Sequence, residues 1–365
     1  MTPSEAASGH RPDSRPKLAA RIEDWIHVRR IKRAQKRNQQ PSVIPYTCYG
    51  NGEWVRVLGR VLYLDPNAKK GNEHFQPHVQ QVSRVRGWRS FTSLHAAHSR
   101  VQISIDGEVV TEIISDRGGV LDAIIPVPLE PGWHTVTLGS GEHEQAQAPV
   151  YVADPSARFG VISDVDDTIL MTKLPKPFVA AWNSFVVAEQ ARTAIPGMPV
   201  FLDHLRQDHP GAPMLYLSTG AWNAAPALTR FMARNLYPVG PLLLTDWGPT
   251  HDRWFRSGKE HKHRELRRLA REFPDVRWLL IGDDGQHDEA LYHEFSTEFP
   301  KHVAAVAIRQ LSVGEAVLAG GRSKAELHTS VSGVPWVYGP DGATLKHELL
   351  KLGLTFEDQS EPPST

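Results

Sequence analysis

A single cysteine, Cys48, stands among 365 residues, so no intrachain disulfide can close and no thiolate cage for a metal can form. That scarcity fits a reducing compartment, and Cys48 itself reads either as a small core residue or as a reactive thiol. No uninterrupted apolar run approaches the roughly 18 to 20 residues that a membrane-spanning helix needs. Met1 to Arg15 is polar where a signal peptide carries an apolar stretch. The expectation is a cytoplasmic protein, with peripheral attachment at the inner membrane surface left open. Net charge is also lacking, but only in sum: 41 Lys and Arg offset 41 Asp and Glu. Residues 1–40 carry ten Lys or Arg against four acids, net +6, which leaves the rest of the chain at −6.

What is present is ordinary for a folded chain, 40% apolar and 22% charged, and excludes disorder, collagen and coiled coil as descriptions of the whole. The length exceeds what one core organises, so two domains are expected. Residues 1–40 form a basic arm. From Lys17 to Gln39 there is no Pro or Gly, and Leu18, Ile22, Trp25, Ile26 and Ile31 recur near helical spacing among Arg29, Arg30, Lys32, Arg33, Lys36 and Arg37. Such an amphipathic helix either packs one face on the body or docks on an anionic membrane surface through its basic residues. Nucleic acid is not expected, because no basic stripe with interleaved aromatics continues beyond the arm.

Residues 41–155 change period to two. The runs 54–62, 101–105, 109–114 and 133–138 are β-rich, Asp106-Gly107 sits between two of them as a hairpin turn, and Gly118-Gly119 and Pro131-Gly132 punctuate the others. A small antiparallel β-sandwich or barrel is expected, with residues 65–100 a long excursion or helical insertion. Asp154-Pro155-Ser156 marks a boundary. Over 156–312, short apolar strands at 159–163, 214–218, 278–282 and 303–308 alternate with helical patterns at 200–206, 225–235, 262–272 and 289–295. That alternation implies an α/β domain, a parallel sheet with helices on both faces. Residues 313–365 read as a Gly-rich extension with a short helix near 345–352 and a polar tail.

In an open α/β sheet the working site lies outside the carboxyl ends of the strands. There the sequence places Asp164-Val165-Asp166-Asp167-Thr168, then Ser218-Thr219-Gly220, then Gly282-Asp283-Asp284-Gly285-Gln286-His287-Asp288. Acids gathered at one sheet edge repel one another unless a cation sits among them, and oxygen ligands without cysteine favour Mg²⁺ over Zn²⁺. A carboxylate beside Mg²⁺ can attack phosphorus, a second acid two residues on can protonate the leaving alkoxide, and a nearby lysine would offset the remaining charge. His251, His261, His263 and His287 match no zinc spacing and are expected to be solvated.

The run Asp164-Val165-Asp166-Asp167-Thr168 resembles the DxDx(T/V) motif of haloacid dehalogenase-like phosphohydrolases, with Ser218, Lys262 and Gly282-Asp283-Asp284 resembling the later motifs. More narrowly, Ile162 to Ile169, Trp222 following Ser218, His261-Lys262 and Leu280 to Gln286 before Asp288-Glu289 resemble the catalytic domain of actin-patch-type phosphatidate phosphatases and their bacterial relatives. The resemblance covers residues about 158–312. It implies a haloacid dehalogenase-like fold with Asp164 as nucleophile, Asp166 as general acid/base, Ser218 as a phosphoryl hydrogen-bond donor and Lys262 as charge stabiliser. It implies Mg²⁺ held by Asp164, Asp283 and the Asp166 backbone carbonyl. Lys259 competes with Lys262, which is preferred because it is expected to open a helix. Asp167 reads as a helix-capping acid, and Asp288 as either a residue behind the metal ligands or a helix cap. Fewer than thirty residues separate Thr168 from Pro196-Gly197, too few for an independent cap domain, which suits a large or surface-bound substrate. The resemblance points to phosphatidate or a similar phospholipid at an anionic membrane surface. A soluble or protein phosphoester and a non-catalytic lipid-binding role are the alternatives.

Overall fold

The computed structural model describes residues 29–34, 36–64, 94–139, 145–171, 193–245, 251–285, 287–318 and 328–355, with the helical backbone alone at 251–257. Most of the basic arm, the expected excursion at 65–93 and the polar tail from 356 fall outside them. Within the arm, 29–34 is helical and Ala34 is buried.

The first body of the chain is built from β1 (Gln40–Pro45), β2 (Cys48–Gly50), β3 (Trp54–Leu64), β4 (Arg100–Ile105), β5 (Glu108–Ile114), β6 (Val120–Pro126), β7 (Gly132–Gly139) and β8 (Gln145–Val152). All eight belong to one hydrogen-bonded sheet, in which only the β2–β8 pair is parallel. β3 makes this possible, since its eleven residues pair on one side with β1 and β2 and on the other with β6. The ends β5 and β6 also lie against each other. Of the two expected forms, sandwich or barrel, the single sheet with its ends in contact is nearer a closing barrel. The β4–β5 hairpin turns at Asp106 and Gly107, whose φ angles of 52° and 85° are those of the two-residue turn that matches strand twist. Alternate residues such as Val101, Ile103, Val136, Leu138, Ala148 and Val150 fill the interior.

The second sheet has, among the described residues, the strand order β11-β10-β9-β12-β13-β15-β14, from β9 (Phe159–Asp164), β10 (Met214–Ala221), β11 (Leu242–Thr245), β12 (Arg277–Asp283), β13 (Val303–Arg309), β14 (Ser330–Val331) and β15 (Val334–Gly339). Every pair except β14–β15 is parallel. Its helices are α1 (Met198–Asp208), α2 (Ala225–Arg234), α3 (His251–Glu272), α4 (Asp288–Glu298), α5 (Val313–Leu318) and α6 (Gly342–Lys351). All seven residues of β13 are buried, which requires cover on both faces. α4 and α6 both pack on β13, α3 lies along β10 and β11, and α1 packs on α6.

Two expectations change here. The sheet runs on past residue 312, because Val334–Gly339 adds a parallel strand beside β13; a six-residue apolar run after a Gly-rich stretch gave little periodicity from which to read it. Helix α3 begins eleven residues before Lys262, so that lysine sits mid-helix and does not open one. The run His251 to Lys259 mixes Trp254 and Phe255 with charged and polar residues and so hides the helix start. The two sheets share one continuous cluster of buried side chains, so the boundary near Asp154 separates two sheets without separating two cores.

Candidate active site

From β9 the chain builds β10 and β11 on one side and then crosses to β12 and β13 on the other. The carboxyl ends of β9 and β12 therefore flank the point where strand order reverses, which is where open α/β sheets bind ligands. Register fixes what meets there. Asp164 lies level with Leu217, one residue before Ser218, and Ser163 lies level with Ile281, two before Asp283. Residues far apart in sequence thus emerge side by side for a backbone reason, before any side-chain interaction is counted.

Asp164 is 2% exposed. Lys262 reaches in from α3 and donates to Asp164 Oδ1 at 2.6 Å and to Asp288 Oδ1 at 2.5 Å. Burial holds the Asp164 carboxyl well above the usual carboxylate range; Asp288, Asp166 and Asp283 push the same way, and Lys262 opposes them. Burial alone would depress the Lys262 ammonium, but the ion pairs and hydrogen bonds with Asp164 and Asp288 outweigh it and raise its pKa, keeping it charged. Lys259, by contrast, is 43% exposed and pairs with Glu294 on the surface at 2.9 Å. Of the two competing lysines, only Lys262 touches the acids.

The Ser218 hydroxyl donates to Asp166 Oδ2 at 3.0 Å and accepts from the Gly220 amide at 2.9 Å. Between Asp164 and that carboxylate the chain leaves the strand through a tight turn. The Ile169 and Leu170 amides both donate to the Val165 carbonyl, and the Asp167 amide donates to the Leu170 carbonyl. Asp167 has a positive φ of 58°, and residues 167–169 form a turn and no helix. Its expected role as a helix cap therefore does not hold: its carbonyl accepts Nη1 of the buried Arg309 at 2.7 Å. Arg309 Nη2 pairs with Glu315 at 2.6 Å, which ties the β9 turn to α5. Arg309 was not among the residues singled out in the sequence. As the last residue of an apolar strand it carries a signal, a cation at the carboxyl edge, that could have found it.

Asp164, Asp283 and Asp288 each offer a carboxylate oxygen within 4.8 Å of the others, and all three are buried. A buried, oxygen-only trio of this kind fits a hard divalent cation. Asp288 is the first residue of α4 and comes close because the preceding strand carries glycine: a Cβ on Gly282 would stand 2.8 Å from Asp288 Oδ2 and 2.7 Å from the Tyr292 ring. Of the two readings left open for Asp288, the structure places it among the acids, beside Lys262. Asp284 turns away, and its Oδ1 accepts the Leu311 amide at 2.8 Å.

The histidines depart from expectation in one case. His261 is 4% exposed; burial, with Arg264 next, lowers its pKa to about 3, and Arg264 donates to its Nδ1 at 2.9 Å. It is a neutral core residue on the inner face of α3, where a solvated one was expected. His263 pairs with Glu294 at 2.8 Å, His287 is exposed, and the His251 side chain lies outside the described residues. No histidine joins a metal-ligating cluster among the described residues. Cys48 is buried, and burial raises its thiol to about 12, so it is the small core residue and not a reactive thiol.

An open, mostly parallel sheet with three buried acids and a lysine at its switch point defines the class: an α/β protein with an oxygen-ligand site at the carboxyl edge of its sheet. The family model described as Phosphatidate phosphatase APP1, catalytic domain, matches residues 159–310, so this stretch is similar to that catalytic domain. Phosphatidate phosphatase APP1 of Saccharomyces cerevisiae is 26% identical over 151 residues, which cover 41% of this chain and 25% of that protein. An uncharacterized protein of Schizosaccharomyces pombe is 24% identical over 153 residues, again 41% and 25%. The match thus spans a quarter of the length of these curated relatives. Among solved structures, a beta-glucuronidase from glycoside hydrolase family 2 overlays 81% of this chain and 30% of its own with a TM-score of 0.23 at 10% identity, too loose a likeness to argue from. No described helix is long and apolar enough to cross a membrane.

Proposed function

We propose that residues 159–310 form a Mg²⁺-dependent, haloacid dehalogenase-like phosphomonoesterase acting on phosphatidate or a similar phospholipid at an anionic membrane surface. The observation that carries this reading is the meeting of Asp164, Asp166, Ser218, Lys262, Asp283 and Asp288 at one sheet edge inside a stretch that matches the APP1 catalytic-domain model. Asp164, Asp283 and Asp288 would hold the ion; the Asp166 carbonyl remains a further candidate ligand. Bound there, Mg²⁺ would lower the charge on the phosphoryl oxygens and on the acids around them.

In this mechanism Asp164 attacks phosphorus and becomes an aspartyl phosphate, the leaving oxygen taking a proton from Asp166. Lys262 stays charged beside the nucleophile and stabilises charge on the transferring group, while the Ser218 hydroxyl orients Asp166 or swings to a phosphoryl oxygen. Asp166 then removes a proton from water, which hydrolyses the intermediate and returns Asp164 as a carboxylate. The short segment between Thr168 and Pro196 favours an open site, suited to a head group presented by a surface. The basic composition of residues 1–40 suits attachment to such a surface from the cytoplasmic side.

Phosphate release from phosphatidate in mixed micelles, compared with a water-soluble phosphomonoester, with Mg²⁺ or excess chelator and with Asp164→Asn as control, tests the reading. Mg²⁺-dependent release from phosphatidate, lost in the variant, is the expected result. Release only from the soluble ester would replace the lipid with a soluble or protein phosphoester; full activity in chelator would overturn the metal site. Lipid binding with no release from either substrate would make the chain a non-catalytic module.

A further inference from the structure

Among the described residues, the side-chain hydrogen bonds that cross from the first sheet to the second fall on two places, each on an element that carries or adjoins a residue of the candidate site. At the first, Tyr46, in the link between β1 and β2, stacks on Trp222 with ring centroids 4.8 Å apart and 11° between planes. Its hydroxyl donates to the Trp222 carbonyl at 3.3 Å. The buried Arg60 of β3 donates to Asn223 Oδ1, while its own Nε is fixed on the Gly118 carbonyl at 3.1 Å. Trp222 and Asn223 begin the 3₁₀ turn that follows β10, four residues beyond Ser218. On the opposite side of that segment, Thr245 Oγ1 lies 3.1 Å from the carbonyls of both Thr219 and Gly220.

At the second place, the Tyr49 hydroxyl donates to Glu272 Oε2 at 2.8 Å, Arg56 Nε donates to Glu272 Oε1 at 3.1 Å, and Arg268 Nη1 donates to Asp122 Oδ2 at 3.0 Å. Arg268 and Glu272 lie on α3, six and ten residues after Lys262. Clamping these later turns fixes the helix axis and therefore the position of Lys262, because a continuous helix moves as a rod.

The geometry points to the eight-stranded sheet as a positioning element of the site: Tyr46 and Arg60 hold the turn that ends the strand carrying Ser218, and Tyr49, Arg56 and Asp122 hold the helix that carries Lys262. These are positioning residues, since their described contacts run through Trp222, Asn223, Arg268 and Glu272 and not through Asp164, Asp166, Asp283 or Asp288. The consequence for turnover rests on the phosphatase reading above. Catalytic groups must be held to a fraction of an ångström, and a misplacement of about 1 Å costs on the order of a hundredfold in rate.

The test compares Tyr46→Ala, Tyr46→Phe and Asn223→Ala with Ile103→Ala, a core truncation in β4 away from both contact sets. Each full-length protein is followed by steady-state kinetics, thermal melting and amide exchange. Tyr46→Ala and Asn223→Ala should each lower kcat about 10- to 100-fold with KM changed less than about threefold, and should speed exchange of the amides at 219–224 while leaving α1 protected. Tyr46→Phe keeps the stack and should stay near wild type. Ile103→Ala should lower the melting temperature and leave kcat intact. Unchanged exchange at 219–224, or a loss of melting temperature with kcat preserved in both Tyr46→Ala and Asn223→Ala, would overturn the inference; Asn223→Ala decides the matter if Tyr46→Ala does not fold. A wild-type protein that released no phosphate would sink the phosphatase reading, while the exchange comparison would still decide whether the first sheet holds this turn.

Discussion

Replacing Lys262 by methionine keeps most of its length and removes its charge from between two buried carboxylates. Its ammonium stands 2.6 Å from Asp164 Oδ1 and 2.5 Å from Asp288 Oδ1, and at an effective dielectric near 20 each contact carries roughly 6 kcal/mol of attraction. The cost of dehydrating three charges cancels most of this, so the net effect follows the experience that breaking a buried ion pair costs about 3–5 kcal/mol. Without the lysine, Asp164, Asp283 and Asp288 remain with oxygens within 4.8 Å of one another and only their mutual repulsion. Two outcomes are expected in Lys262→Met. The metal-free variant melts several degrees below wild type at neutral pH, and Mg²⁺ raises its melting temperature more than it raises that of the wild type, because the ion replaces a missing cation. Phosphate release should fall by about a hundredfold to a thousandfold, the loss typical when a fixed group opposite developing charge is removed. Differential scanning fluorimetry over a Mg²⁺ titration, with phosphate release on the same samples, reads both. A variant with wild-type melting, wild-type Mg²⁺ response and wild-type turnover would refute the account of Lys262 as the cation that holds these acids together.

The paired acids of β9 should separate by phenotype: Asp164→Asn abolishes acid-quenched phosphoenzyme, while Asp166→Asn slows release by on the order of a hundredfold to ten-thousandfold on an alkyl phosphate. A near-wild-type rate in Asp166→Asn would contradict its assigned role. Gly282→Ala places a methyl group 2.8 Å from Asp288 Oδ2 and 2.7 Å from the Tyr292 ring, an overpacking worth about 1–3 kcal/mol. It should weaken Mg²⁺ binding, measured by titration calorimetry, and unchanged affinity would remove Asp288 from the ion's neighbourhood. His261 governs part of the acid limb of stability. Its pKa is lowered to about 3 in the fold against about 6.5 unfolded, so its contribution is complete above 6.5 and is lost as pH falls toward 3. By pH 5 the loss is roughly 2 kcal/mol. His261→Leu should flatten the fall in melting temperature between pH 7 and 5, and an unaltered slope would show that another group is responsible.

The sequence by itself located the principal strands and the acids at their carboxyl ends. Local rules suffice for these: short apolar runs bounded by turn residues mark buried strands, the Asp106-Gly107 dipeptide fixes a hairpin, and acids directly after apolar runs must emerge at a sheet edge whatever the remaining topology. Asp164, Asp166, Ser218 and Asp283 were legible for that reason, Lys262 only through the family resemblance, and the structure brings Asp164, Lys262 and Asp283 together with Asp288, and Ser218 onto Asp166. What only the tertiary structure decided depends on partners distant in the chain. The burial of His261 and the exposure of Lys259 follow from which face of α3 meets β10 and β11, a face that the sequence of the helix does not announce. Asp167 ceases to be a helix cap because Arg309, from a strand 142 residues later, takes its carbonyl. β15 joins the sheet because the flank of β13 is open to it, a vacancy no local pattern records. The grip of Tyr46 on Trp222 and of Arg56 on Glu272 joins side chains 176 and 216 residues apart, and periodicity carries no information over such separations; there, packing between two finished sheets decides.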